Sequence, residues 1–220
     1  PEACAMPERV NLWGYAPANY FAVKASYAKG QDAAVEWKKL IRALHENHME
    51  CVMEMYFPEN VNQNLILDAL RYWVREYHVD GFRFDLASIL GRNEDGSPMS
   101  QPPLLKNLAE DPILRNVKLI AEAWDAGGLY QVGNFPAFSR WAEWNGKYRD
   151  DMRSFLKGDY WFAEAAANRL TGSADLYSGQ YEGYDSSINF LTCHDGFSLW
   201  DLYSYNEKHN EDNGWNNTDG

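Results

Sequence analysis

The chain of 220 residues is long enough for one large domain with a sizeable core, and we interpret residues 1–220 as a single domain. Its 32 Asp and Glu residues outnumber its 20 Lys and Arg residues, which gives a net charge of −12 at neutral pH. Because this negative charge repels polyanions and the basic residues form no cluster in the sequence, nucleic acid and anionic membranes are excluded as partners.

The aromatic residues and the cysteines indicate the type of ligand and the cellular compartment. Nine Trp and fourteen Tyr suit a groove that stacks on sugar rings, although most of them would serve equally well as core residues. The three cysteines, Cys4, Cys51 and Cys193, are odd in number and far apart, which indicates free thiols and a reducing, cytoplasmic location. The sequence has neither an apolar run of membrane-spanning length nor a signal-peptide pattern.

The first half of the chain predicts helices and strands in alternation. Asp32 is a suitable N-cap for a helix that ends near Glu46. The predicted elements that follow are a strand over 50–57 that Pro58 stops, a helix over about 62–77 and a strand over 81–85. The apolar face of the first helix comprises Val35, Trp37, Leu40, Ile41 and Leu44.

The second half continues the alternation with longer loops. Trp37, Trp73 and Trp161 lie on apolar helical stripes and are predicted to be core residues. The predicted elements are a loop over 91–103, a short helix over 104–110, a strand over 118–122, a loop over 125–140, a short strand over 141–144, helices over 149–157 and 160–170, a strand over 187–193 and a polar tail over 206–220.

Buried apolar strands that alternate with helices predict a parallel sheet covered by helices. In such sheets the functional site lies at the carboxyl ends of the strands. Three of the predicted strands end on acidic groups there, which are Asp85, Glu122 and the pair His194–Asp195. We therefore expect these side chains to meet on one edge of the sheet.

The residue types at these strand ends indicate glycosidase chemistry. Arg83 and Asp85 share one face of a strand, so Asp85 is either half of a structural ion pair or an ionised nucleophile. The apolar surroundings of Glu122 raise a carboxyl pKa, as a proton donor requires. Asp195 and His194 would then bind the same sugar and support positive charge at the reacting carbon.

A metal site and a Ser–His–Asp hydrolase are two other functions that these residue types could serve. Three acids and a His could bind a catalytic metal ion, but the sequence lacks the usual ligand spacings. A Ser–His–Asp hydrolase would need a G-x-S-x-G motif, which the sequence also lacks.

Several segments in order resemble the α-amylase family of glycoside hydrolases, and in particular its isoamylase and glycogen-debranching branch. The segments that carry this resemblance are Trp13–Tyr15, Asp80–Asp85, Ala121–Asp125, Trp144–Asp151, Phe190–Asp195 and Ser204–Asn210.

The resemblance implies an α/β fold of the (β/α)8 TIM-barrel type and hydrolysis of α-1,6 branch linkages in glycogen-like or amylopectin-like glucans, with retention. It implies that Asp85 is the nucleophile, Glu122 the acid/base and Asp195 the transition-state stabiliser. Arg83 and His194 would bind the sugar, and Tyr15 and Trp124 are expected to face it. The α-glucan is the expected partner, and no cofactor or metal is expected, although calcium is conceivable in the family. The oligomeric state is left open.

The chain departs from the family pattern in two places. At the third strand the family has Asp and, further on, an Asn-His pair that binds the sugar, whereas this chain has Glu54 and Pro58-Glu59, and the long following loop is nearly absent. The matches also span only about strands two to seven, so we expect an incomplete barrel without flanking β domains. These departures keep open a glucan-binding relative with weak or no activity. A branching-type transglycosylase is a variant of the enzyme hypothesis, and the Tyr205–Asn210 segment argues against it.

Overall fold

The computed structural model describes residues 1–3, 15–177, 186–194, 196–209 and 211. The chain divides into two compact units, Pro1–Glu143 and Trp144–Gly220, which are described in turn. Among the described residues, no helix is both long enough and apolar enough to cross a lipid bilayer.

The first unit contains most of the regular structure. In chain order its elements are β1 (Glu2–Ala3), β2 (Pro17–Asn19), a 3-10 helix (Ala25–Tyr27), α1 (Ala33–Glu46), β3 (Val52–Tyr56), α2 (Gln63–Tyr77), β4 (Gly81–Asp85), a 3-10 helix (Ala87–Gly91), α3 (Pro103–Glu110), β5 (Lys118–Ala121) and β6 (Trp141–Trp144), whose last residue begins the second unit.

Strands β3, β4, β5 and β6 pair in that order, and all three pairings are parallel. Arg83 in the middle of β4 lies opposite Glu54 of β3 on one side and Ile120 of β5 on the other. Because parallel strands end at the same edge, the residues that end β4 and follow β5 come together there. This arrangement confirms the predicted parallel sheet.

Strand β4 is buried along its whole length, which is typical of a parallel strand covered on both faces. Phe82 and Phe84 have almost no exposed surface, and the ring of Phe84 packs 4.9 Å from that of Trp141 in β6. The Trp141 indole N–H donates to the carbonyl of Leu105 in α3 at 3.3 Å. These contacts join the sheet to the helices outside it.

Helix α2 follows the sequence prediction closely. The side chain of Asn62 accepts from the backbone N–H of Asn64 and caps the start of the helix. The helix ends at His78, whose φ of 58° is left-handed. The buried stripe predicted for this helix is present, and Trp73 is 1% exposed.

The prediction for α1 was right about its bounds and wrong about most of its apolar face. The Asp32 side chain accepts from Val35 N–H as the predicted N-cap. Ile41 is buried, but Val35 is 43% exposed and Leu40 is 48% exposed. Leu40 and Trp37 instead line a cavity of about 490 Å³ between this helix, the residues around Tyr20, and β3. The helix therefore covers the edge of the sheet only partly.

The second unit is mainly helical. Its elements are α4 (Gly146–Lys157), α5 (Phe162–Leu170), α6 (Ala174–Tyr177), β7 (Ser187–Ile188) and α7 (Leu199–Ser204). The buried Asn145 caps α4 by accepting from Tyr148 N–H, and its amide donates to Ser173 and Ser187. This cap explains why α4 begins three residues before the predicted position.

Two predictions for this unit were wrong. Strand β7 is two residues long, where 187–193 was predicted, and the Leu191 carbonyl accepts from the Arg153 guanidinium instead of a neighbouring strand. Trp161 was predicted to be a core residue but is 95% exposed, because it precedes α5 with a left-handed φ of 75°. The apolar stripe of α5 therefore excludes it.

Candidate active site

The two acids predicted at neighbouring strand ends are brought together in the first unit. Asp85 is the last residue of β4, and Glu122 directly follows β5. The backbone N–H of Glu122 donates to the Phe84 carbonyl, and the Glu122 carbonyl accepts from Ala87 N–H, each at 3.0 Å. These backbone bonds extend the β4–β5 pairing past the end of β5 and hold both carboxyl groups at the same edge.

Arg83 joins three carboxylates at this edge. Its Nη1 lies 2.5 Å from Asp85 Oδ1 and 2.9 Å from Glu54 Oε1, and its Nη2 lies 3.1 Å from Glu122 Oε2. The guanidinium is 3% exposed. Burial alone would lower the pKa of Arg83, but the three acids raise it. Arg83 therefore stays cationic and supplies the positive charge of the site.

Glu122 is buried and is 1% exposed. Desolvation raises the pKa of its carboxyl to about 8, and the negative charge of Asp85, together with a side-chain interaction with that residue, acts in the same direction. The charge of Arg83 and the N–H of Leu86, which donates to Glu122 Oε2 at 2.7 Å, act in the opposite direction. Glu122 is therefore protonated at neutral pH. It is buried, as its apolar sequence neighbours indicated, but its carboxyl lies against the guanidinium of Arg83, which they did not.

The amide that contacts Glu122 comes from an unusual backbone position. Leu86 follows the β4 strand with φ 48° and ψ 42°, in the left-handed region that a branched residue rarely adopts. This conformation turns the chain from the strand into the 3-10 helix Ala87–Gly91. Strain of this kind often accompanies functional sites, and here it directs an N–H at the buried acid.

Tyr15 lies beside the same acids. Its hydroxyl donates to Glu54 and lies 3.4 Å from Asp85 Oδ1. Its ring is half-buried and meets that of Tyr56 edge to face, with centroids 6.2 Å apart. Burial, and then the hydrogen bond to Glu54, raise the pKa of the Tyr15 hydroxyl well above its usual value. The other residues of its motif, Trp13 and Gly14, lie outside the described residues.

Glu54 is the site residue that the sequence reasoning missed. The sequence marks it as a departure from the family pattern, and in the structure its carboxylate contacts both Arg83 and Tyr15. The available signal was a lone acid in the middle of an apolar strand whose parallel neighbour carries an Arg at the matching position.

Trp124 forms an aromatic pair at the same edge. Its ring stacks on Tyr130 with centroids 5.9 Å apart and planes 16° apart, and the two backbones form an isolated bridge. Tyr130 is 47% exposed. Between them, the buried Asp125 accepts two hydrogen bonds from Arg92, at 2.8 and 2.9 Å, which hold this loop to the loop after β4.

The remaining predicted site residues belong to the second unit. The His194 ring lies 6.4 Å from that of Trp144, which in turn packs 4.9 Å from Phe190. His194 thus belongs to an aromatic cluster. Asp195, the predicted stabiliser, lies outside the described residues.

Comparison with known proteins places the chain in a family. No family model matches the chain. The chloroplastic isoamylase 3 of rice, Oryza sativa subsp. japonica, is 42% identical in a match that covers 96% of this chain and 34% of that protein. The glycogen operon protein GlgX homolog of Mycobacterium tuberculosis is 41% identical, with 96% of this chain and 36% of that protein covered. The chain belongs to the isoamylase branch of the α-amylase family.

Solved structures establish the fold. A pullulanase from Anoxybacillus sp. LM18-11 complexed with maltotetraose superimposes with a TM-score of 0.65 at 24% identity, over 87% of this chain and 35% of that one. The parallel sheet of the first unit is accordingly part of a (β/α)8 barrel. The chain spans about a third of the length of its isoamylase relatives. The rice alignment extends over 262 residues, more than the chain contains, so that relative carries segments that are absent here.

Proposed function

We propose that this isoamylase-family protein hydrolyses α-1,6 branch linkages of glycogen-type or amylopectin-type α-glucans by a retaining double displacement. The observation that carries the proposal is the pair of buried acids, Asp85 and Glu122, which share one guanidinium, together with the raised pKa of Glu122. Two carboxyls with separated roles are the equipment of a glycosidase.

Asp85 is the proposed nucleophile. Its carboxylate lies 2.5 Å from Arg83 Nη1, which holds one of its oxygens at the edge of the sheet where a nucleophile is needed. Asp85 Oδ1 and Glu122 Oε2 lie 2.5 and 3.1 Å from the two Nη atoms of one guanidinium, which supports a close approach of the two carboxyls, and retaining enzymes have the shorter carboxyl spacing. A nucleophile in direct attack needs the shorter spacing, so the geometry favours retention.

Glu122 is the proposed acid/base. In the first step it donates its proton to the bridging oxygen as the bond between that oxygen and the anomeric carbon breaks, while an Asp85 oxygen bonds to the carbon. In the second step the Glu122 carboxylate takes a proton from water, the water oxygen bonds to the anomeric carbon, and Asp85 leaves. Asp195 and His194 are proposed to stabilise the positive charge and bind the sugar hydroxyls.

The substrate class is proposed from the relatives and from the aromatic side chains. The matched relatives are named as isoamylases and a glycogen operon protein, and the pullulanase structure holds maltotetraose. Tyr15 is proposed to contact the sugar at the cleavage site, and Trp124 with its stacking partner Tyr130 offers an apolar surface nearby. We propose no cofactor for this mechanism, since the proton transfers and the attack on the anomeric carbon are all assigned to side chains.

The proposal is tested by incubating the protein with β-limit dextrin or pullulan and measuring reducing ends, with Asp85→Asn as the control. We expect release by the wild type and loss in the variant, because the amide cannot form the covalent intermediate. Proton NMR of the first product should show the α-anomer. Release of the β-anomer would contradict the retaining mechanism.

A second candidate function is glucan binding without hydrolysis. The observation that favours it is Pro58-Glu59, which stands where the family resemblance implies a sugar-binding Asn-His pair. Retention on a glucan affinity gel together with no release above the Asp85→Asn control would support this candidate. Formation of transferred chains without new reducing ends would instead indicate a branching-type transglycosylase.

A further inference from the structure

A buried acid of the first unit, Glu143, takes no part in the proposed chemistry. It lies in β6, in register with Ala121 of β5, and is 0% exposed. Successive residues of a strand point to opposite faces of the sheet, so Glu143 shares a face with Ala121. Glu122 follows Ala121 and contacts Arg83 on the other face. The Glu143 carboxyl is therefore separated from the reacting groups by the sheet, and its role must be sought elsewhere.

The carboxyl of Glu143 holds the base of the loop after β5. The N–H of Gly133 donates to Glu143 Oε2 at 2.7 Å, and both residues are buried. Gly133 has a φ of 82°, in the left-handed region that Gly adopts at no steric cost. Close by in the chain, the buried ring of Phe135 packs 5.6 Å from that of Trp141. Because an N–H that is buried without an acceptor costs free energy, the bond to Glu143 keeps this loop base in place.

The same loop carries the stacked pair of Trp124 and Tyr130. The backbones of these two residues form an isolated bridge across the loop. Gln131, the next residue, donates its N–H to the carbonyl of the residue before Trp124 at 2.6 Å. Gly133 lies two residues beyond Gln131, so the hydrogen bond to Glu143 fixes the returning arm of the loop directly after the bridge.

We propose that Glu143 is a positioning residue, which acts through Gly133 to hold the Trp124–Tyr130 pair in one orientation for stacking on a substrate sugar. A loop that is ordered before binding saves the free energy of ordering it when the sugar binds. The bound substrate and the transition state use the stacking surface alike, so loss of the anchor should raise KM more than it lowers kcat. The inference rests on the proposed glucan hydrolysis.

Substitutions of Glu143 isolate the contribution of its acceptor oxygen. Glu143→Gln keeps an oxygen that can accept from Gly133, and KM for pullulan should stay within about twofold of wild type. Glu143→Leu removes the acceptor and should raise KM about three- to tenfold, as expected for loss of an aromatic contact. The change in kcat should be less than about twofold. In a Trp124→Ala background the Leu substitution should leave KM unchanged, because the residue through which Glu143 acts is gone.

A matched control distinguishes positioning from a general loss of stability. Asp111 is also a buried acid that accepts backbone N–H groups, those of Ile113 and Leu114, but it precedes β5. Asp111→Leu should lower the free energy of unfolding, as Glu143→Leu does, and should leave KM unchanged. An equal rise of KM in both variants overturns the inference, as does a rise in Glu143→Gln that matches the rise in Glu143→Leu.

Amide hydrogen exchange over 124–133 supplies a measurement that needs no activity. Exchange should be faster in Glu143→Leu than in wild type or Glu143→Gln, because the loop base opens more often. Glu143→Asp, which draws the carboxylate back from Gly133, replaces the Leu variant if that variant does not fold, and the same changes are expected. Reducing-end release with KM unchanged in these variants overturns the positioning role and leaves the hydrolysis intact.

Calorimetric titration of maltotetraose replaces KM if the wild type releases no reducing ends, a result that refutes the proposed hydrolysis. Weaker binding by Glu143→Leu, together with faster exchange of the loop and normal binding by Glu143→Gln, would then uphold the positioning role. Equal affinity of wild type and Glu143→Leu would overturn it, as would a wild type that does not bind maltotetraose.

Discussion

Arg83 and Glu54 face each other on the paired strands β4 and β3, with Arg83 Nη1 2.9 Å from Glu54 Oε1. Glu54 also accepts the hydroxyl of Tyr15. The contact thus links the aromatic residue at the site to the cation that holds Asp85 and Glu122. Glu54 stands where the family resemblance implies an Asp. It forms one charged cluster with Arg83, Asp85 and Glu122.

The hydrolytic activity should fall on the alkaline side as Glu122 loses its proton. Since the pKa of Glu122 is about 8, kcat/KM should be half-maximal near pH 8 and should fall about tenfold for each further pH unit. Glu122→Gln should lower kcat by about 10²–10⁴-fold and remove this limb. The measurement is a pH–rate profile on pullulan. Wild-type activity that stays level beyond pH 9 would contradict the assignment.

The free energy of unfolding should also depend on the protonation of Glu122, and the raised pKa fixes the direction of that dependence. The pKa of Glu122 rises from 4.5, the ordinary value, to about 8 in the folded chain, so the folded state binds this proton more tightly. Its stabilising contribution is complete below pH 4.5 and is lost as the pH rises through 8. Glu122→Gln should therefore become more stable relative to wild type between pH 5 and 8. Urea unfolding of both proteins at several pH values measures this difference. Curves of unfolding free energy against pH that run parallel for wild type and variant would contradict the prediction.

Replacing Arg83 by Gln should destabilise the fold by about 3–5 kcal/mol, because Asp85 and Glu122 would lose the buried guanidinium that both contact. The free energy of unfolding from denaturant titration measures this loss. Arg42→Gln serves as a control, since its ion pair with Glu46 is exposed and should contribute less than about 0.5 kcal/mol. Equal losses of unfolding free energy in the two variants would contradict a stabilising role for the contacts of Arg83 with the buried acids.

Tyr15 and Glu54 should be energetically coupled. Tyr15→Phe removes the hydroxyl but keeps the ring. Glu54→Gln replaces the carboxylate that accepts the hydrogen bond from this hydroxyl with a neutral amide. A double-mutant cycle on unfolding free energy should give a coupling of about 0.5–3 kcal/mol. The ring that remains in Tyr15→Phe should preserve most of the sugar contact, so KM should change less than kcat. Strictly additive effects would rule out the hydrogen bond as a stabilising contact.

His78→Gly should stabilise the protein. His78 ends α2 in the left-handed region, where a side chain costs about 1–2 kcal/mol, and part of the gain is offset by the greater freedom of Gly in the unfolded chain. A net increase of about 0.5–1 kcal/mol is expected in the free energy of unfolding. His78→Ala keeps the Cβ atom and should bring no such gain. An equal response of both variants would assign the effect to the loss of the imidazole.

Local patterns in the sequence were sufficient for the elements that are decided by nearby residues. Asn62 and Asp32 cap their helices through side chains two or three residues away, and the apolar residues of β4 identify a strand buried on both faces. Patterns of this kind also placed Asp85 and Glu122 at one edge, because parallel strands end together.

The burial of apolar helix faces could not be predicted in this way, because it depends on which part of the chain packs against each face. The apolar face of α1 satisfies helical periodicity, yet Val35 and Leu40 remain exposed because little of the described chain packs against them. Trp161 satisfies the same pattern and is exposed because its backbone turns away at the start of α5. Periodicity describes a face, and only packing determines whether the face is covered.

The sequence by itself determined the parallel α/β architecture and the placement of two acids where β4 and β5 end, since both follow from local periodicity and from the alternation of strands with helices. Only the tertiary structure revealed that Arg83 contacts three acids, that Glu54 is one of them, and that Leu86 directs its N–H at Glu122. Those relationships depend on the register between strands 29 or more residues apart and on one left-handed backbone position, neither of which local sequence specifies.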